Sequence, residues 1–148
     1  MNWLNFYGLA LVAIILIPNI IFAATHNDGF ENLYQNKAAE ILEQVGRFGS
    51  FAFMFLQIPV LCGGFAFPAA KTLYLAFGFG LAALYCAGWV LFWKESSVRK
   101  ALVLSILPSL MFIACGAFSQ NFPLLAAAAI FAPTHILISY KNAVLSRH

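Results

Sequence analysis

Four prolines of this chain lie inside long apolar stretches, and each has a hydrogen-bonding neighbour: Pro18 with Asn19, Pro59 with Gln57, Pro108 with Ser105 and Ser109, and Pro133 with Thr134 and His135. Proline lacks the amide proton that a helix donates to the carbonyl four residues earlier. The carbonyls of Ile14, Phe55, Leu104 and Ala129 therefore need other donors, and nearby Asn, Gln, Ser and His side chains can supply them. Among these groups only His135 is ionisable. A titratable imidazole within an apolar segment is a candidate for binding or acid–base work. The plainer alternative is a neutral imidazole bonded to a freed carbonyl.

These residues suggest a ligand site. Asn19, Gln57, Ser109 and His135 are compatible in depth, and Tyr85 with Trp89, one turn apart, would add an aromatic wall. The expected site is a pocket open toward the cytoplasm, in which His135, Gln57 and Asn19 fix the polar end of a small apolar or neutral ligand such as a lipid or isoprenoid. A second reading makes the chain an accessory subunit of a larger membrane assembly. A third makes it an intramembrane enzyme with His135 as acid or base. Against all three stands the structural role of such groups, interhelical hydrogen bonds worth about 0.6 to 2 kcal/mol each.

What is missing narrows the classes. No Asp, Glu, Lys or Arg is expected in the core of any apolar stretch, which argues against cation-coupled transport. His26, His135 and His148 have no partners at ligand spacing, so no metal is expected, and no cofactor motif is present. The eight basic residues are scattered and form no stripe, so no nucleic-acid partner is expected. Cys62, Cys86 and Cys115 form no C-x-x-C pair and read as small apolar filler; Cys62 and Cys115 fall at similar depth, which leaves a disulfide between them geometrically open.

The elements that must position these groups are set by composition. Hydrophobic residues make up 63% of the chain and charged residues 9%, far below the roughly 25% charged of soluble domains. Five apolar stretches, at about residues 2–24, 48–67, 73–93, 101–118 and 124–140, approach the roughly 20 residues that cross a bilayer as helix. The expectation is an all-α membrane protein, residues 1–148 forming one domain: a bundle of five transmembrane helices, with an amphipathic interfacial helix at about 32–46. The segment Met1 to Gly8 carries no positive charge, so the first stretch reads as a span and not as a cleaved signal.

Placing the amino terminus outside puts Lys37, Arg47, Lys94, Arg99, Lys100, Lys141 and Arg147 in the cytoplasm and leaves Lys71 alone outside. That split favours N-out and C-in. A bacterial inner membrane suits the pattern. Ala76, Gly80, Ala83 and Ala87 share one face of the third span, where small side chains permit close helix packing, within the bundle or against a second copy.

Overall fold

The computed structural model describes residues 3–25, 33–95 and 97–146. Within them the chain forms five helices and no strand: α1 (Phe6–Thr25), α2 (Lys37–Phe55), α3 (Ala70–Leu91), α4 (Val98–Phe118) and α5 (Phe122–Leu145). α1, α3, α4 and α5 are each long and apolar enough to cross a membrane. α2 is more polar, since it carries Lys37, Glu40, Glu43 and Arg47. The polar run at residues 26–29 and the basic residue Arg147 lie outside the described residues.

Helix starts follow from local chemistry. The side-chain oxygens of Asn36, Ser97 and Asn121 accept the amides of Ala39, Lys100 and Leu124, which helix starts otherwise leave without partners. Pro123 then occupies the first turn of α5, where no amide proton is needed.

The second apolar stretch departs from expectation. In place of an interfacial helix at 32–46 and a span at 48–67, one continuous helix runs from Lys37 to Phe55, and residues 56–69 are irregular. Two causes act together. Ala39, Glu43, Gly46, Ser50 and Met54 are buried at spacings of three and four, so one helical face continues through Gly46 and Arg47. Beyond Phe55, Pro59, Gly63, Gly64 and Pro68 interrupt regular structure, and Gly64 adopts a left-handed φ of 79°.

Residues 56–69 close one end of the bundle. The Gln57 amide donates to the Trp3 carbonyl at 2.7 Å, the Asn121 side-chain amide to the Phe53 carbonyl at 2.8 Å, and the Gly63 amide to the Gln120 carbonyl at 3.0 Å. Pro59 therefore lies beyond the end of α2 and not within a helix. The Phe55 carbonyl is a helix-end acceptor, bonded by the Asn5 amide at 2.7 Å.

The helices pack in a ring, in the order α1, α2, α5, α4, α3 and back to α1. Two hydrogen bonds set relative direction: the Asn5 side-chain amide donates to the Tyr74 hydroxyl at 2.9 Å, and the Asn19 amide to the Tyr85 hydroxyl at 2.6 Å. The residue that leads into α1 thus meets the start of α3, and the late part of α1 meets the late part of α3, so the two run the same way. α2 and α5 are antiparallel, with Glu43 beside His135, Gly46 against Phe131 and Phe53 against Asn121.

Leu11, Met54, Met111, Phe112, Leu124 and Phe131 fill the interior. Among lipid tails the hydrophobic gain between helices is small, so close contact carries the packing. α1 and α2 approach most tightly at Gly8, where a Cβ would overlap the Met54 carbonyl, and α2 meets α5 at Gly46, where a Cβ would stand 2.6 Å from the Phe131 amide nitrogen. The small-residue face of α3 does not serve this purpose. Ala76, Gly80, Ala83 and Ala87 all point out of the bundle, and a Cβ on Gly80 would meet nothing within 4 Å. Inward packing of α3 uses a neighbouring face instead, with Tyr74, Gly78, Ala82, Tyr85 and Trp89 buried.

Candidate functional site

One titratable cluster lies between α2 and α5. His135 Nδ1 stands 3.1 Å from Glu43 Oε1, and the same oxygen accepts from the Arg47 guanidinium one turn along α2. Side-chain exposure is 6% for Glu43, 20% for His135 and 34% for Arg47, so the carboxylate is the most buried member and its two basic partners screen it. Phe131 lies one turn before His135 and stacks on its ring, with centroids 4.5 Å apart and planes 17° apart. That stack, with the Glu43 contact, fixes the imidazole. Holding Nδ1 against a carboxylate leaves Nε2 as the nitrogen that could exchange a proton or bond a ligand.

This cluster corrects the expectation that no acid or base enters the bundle. Glu43 was assigned to an interfacial helix, yet it is 4% exposed within the helical assembly. The signal was present in the sequence. Glu43 and Arg47 are four apart, the spacing that pairs opposite charges on one helix face, and the apolar face of the same helix continues past them.

A second arrangement joins α1 to α3. Pro18 frees the Ile14 carbonyl, as expected, and the Cys86 thiol reaches it at 3.8 Å. Asn19 bonds both the Ile15 carbonyl, at 2.7 Å, and the Tyr85 hydroxyl. Tyr85 meets Trp89 edge to face at 6.4 Å. Beside it lies a groove of about 320 Å³, open along one side, with Ile14, Ile17, Pro18 and Ile21 of α1 on one bank and Cys86, Trp89 and Val90 of α3, with Trp93 just beyond its end, on the other.

The six expected ligand-binding residues do not share one pocket. Asn19, Tyr85 and Trp89 come together, and Trp89 lines the groove. His135 joins Glu43 across α2 and α5, while Gln57 lies in the segment that closes the bundle end. Ser109 turns back to the Ser105 carbonyl of its own helix at 2.8 Å, a local bond that satisfies its hydroxyl. The expected convergence fails because Gln57 is not helical and the side chains of Asn19, Ser109 and His135 each find a near partner. Ser50 Oγ and Trp89 Nε1 are buried with no hydrogen-bond partner among the described residues.

All three cysteines are free thiols, which excludes the disulfide left open between Cys62 and Cys115. Cys62 lies in the irregular segment, where burial pushes its thiol above the usual range. Among the described residues no three His, Cys, Asp or Glu side chains gather as metal ligands would.

Compared with known proteins, the chain matches no family model, no characterised protein and no solved structure.

Proposed function

We propose that all five helices cross a bilayer, amino terminus outside and carboxyl terminus in the cytoplasm, and that the protein holds the apolar part of a small lipid- or isoprenoid-like ligand between α1 and α3. Direction supports the fifth crossing. If α1 and α3 cross the same way, the chain between them must return, and α2 is the helix available to do so. Its 19 residues span about 28 Å, close to the roughly 30 Å hydrocarbon core. Its buried charge is tolerable there because Glu43 has both Arg47 and His135 as partners.

Lys71 supports the orientation. It stands alone at the end closed by residues 56–69, whereas Lys37, Lys94, Arg99, Lys100 and Lys141 belong to the opposite end. Arg47, counted at first with the cytoplasmic loops, is drawn into the bundle beside Glu43.

The observation that carries the ligand reading is the groove. Its roughly 320 Å³ is within the range of small-molecule sites, and its banks are apolar. It opens sideways, toward where acyl chains lie when the helices span a bilayer, so the ligand enters from the membrane and not from the cytoplasm as first expected. Native mass spectrometry from lipid nanodiscs tests this reading. The wild-type chain should retain an apolar ligand, and an Ile14→Phe/Ile17→Phe variant, which narrows the groove, should lose it. A bare wild-type chain, or equal retention in both, rejects the reading.

A second reading, association with another membrane protein or a second copy, is favoured by the outward stripe of Ala76, Gly80, Ala83 and Ala87. Small side chains at that spacing admit a partner helix closely. Retention of the complex in mild detergent by wild type, and its loss in Gly80→Leu, is the expected result under that reading.

A further inference from the structure

A cation lies behind one end of the groove, against two aromatic rings. Phe22 of α1 packs against Trp89 at 4.8 Å and against Trp93 at 5.3 Å, and both indoles line the groove. Lys100, in the first turn of α4, lays its ammonium 4.6 Å from the centre of the Phe22 ring and 5.1 Å from that of Trp89. Among the described residues no carboxylate stands within ion-pair distance of it. Lys94 follows Trp93 directly and is exposed, as is Arg99, while Glu95 is the one acid in that turn. The groove lining is thus apolar, and Lys100 stands behind Trp89 at one end of it, with Lys94 and Arg99 close in sequence.

We propose that its occupant is a membrane lipid with an anionic phosphate headgroup, whose chain lies between Ile17 and Trp93 and whose phosphate meets Lys100. The inference rests on the groove reading above and adds the charge and chemistry of the polar end. An ammonium held over two ring faces still points donors outward, and a phosphate oxygen is a strong acceptor for them. A zwitterionic headgroup brings its own cation close to Lys94, Arg99 and Lys100 and loses part of that attraction. A neutral headgroup gains none.

The test uses the full chain in nanodiscs, in a Trp3→Phe background so that fluorescence reports Trp89 and Trp93 alone. Chain-brominated phosphatidylglycerol and phosphatidylcholine with the same acyl chains are each added as a minor component of a phosphatidylcholine bilayer. The brominated phosphatidylglycerol should quench several-fold more strongly at equal mole fraction, and Lys100→Gln should remove the difference. Raising the salt concentration should weaken the preference in the unaltered Lys100 protein, a readout that needs no Lys100 variant to fold. Equal quenching by the two lipids overturns the headgroup inference and leaves the groove standing. Quenching by either lipid that is no stronger than in the Ile14→Phe/Ile17→Phe protein overturns the groove reading itself, and a preference indifferent to both salt and Lys100→Gln overturns the role of Lys100.

Discussion

Glu43 on α2 and His135 on α5 are 92 residues apart in sequence, and their side chains meet at 3.1 Å in the seam of the two helices that pack most extensively. The contact ties the most polar helix of the bundle to one of the four apolar ones. It also joins a run of rings: His135 stacks on Phe131, Phe131 meets Phe112 at 5.6 Å, and Phe112 meets Phe51 at 5.9 Å. The polar contact and the aromatic packing therefore hold the same seam.

Removing the carboxylate should cost more than removing both charged partners of the α2 pair. Glu43→Leu leaves Arg47 and His135 without their acceptor, and breaking a buried pair from one side costs about 3 to 5 kcal/mol. Glu43→Leu combined with Arg47→Leu should recover part of that loss. Unfolding in mixed micelles measures both, and a single variant as stable as wild type would refute the pairing.

Two glycines should respond in opposite ways. Gly46→Leu must push α2 away from the Phe131 backbone and should destabilise the bundle by at least the 1 to 3 kcal/mol typical of overpacking. Gly80→Leu meets nothing within the chain and should leave the thermal midpoint of the monomer unchanged. Thermal unfolding in detergent separates them, and a loss at Gly80 with none at Gly46 would reverse the assignment of faces.

Four of the five helices were legible from hydropathy, because α1, α3, α4 and α5 contain long runs without charge. α2 was not, for a physical reason. Hydropathy weighs each residue alone, so Glu43 and Arg47 count as penalties although they neutralise each other, whereas the apolar run at 56–67 counts as span although Pro59, Gly63 and Gly64 prevent it from being helical. Of the candidate site, the carbonyl freed by Pro18 and the neighbours Tyr85 and Trp89 could be read in advance. The partners of His135 and Asn19 could not, since a single sequence does not reveal which helices are neighbours.

Asn19→Leu should loosen α1 from α3. It removes the bonds to Ile15 and Tyr85, and interhelical bonds of this kind are worth about 0.6 to 2 kcal/mol. Asn5→Leu, which removes the matching bond to Tyr74, should cost a similar amount. The two sites are far apart along α1, so the double variant should show the sum of the single losses. Stability measurements in detergent that show neither loss would remove these bonds from the account.

Cys62 should be slow to alkylate in the folded protein. It is 5% exposed, and its thiol is raised above the ordinary range by burial, so the reactive thiolate is scarce at neutral pH and increases only as the pH climbs through the shifted value. Mass spectrometry after alkylation under native and denaturing conditions measures this. Denatured protein should show three modified cysteines without any reductant, and a missing pair would reveal a disulfide that the folded chain does not contain.

The account turns on whether α2 passes through the bilayer, and sided thiol labelling measures that directly. In a cysteine-free background, Gln35→Cys just before α2 and Val60→Cys just after it, both at exposed positions, are treated in intact cells with a membrane-impermeant maleimide. Labelling of Val60→Cys from outside, with Gln35→Cys labelled only after permeabilisation, is the predicted result. Labelling of both from the same side would contradict five crossings and the placement of Glu43 within the membrane.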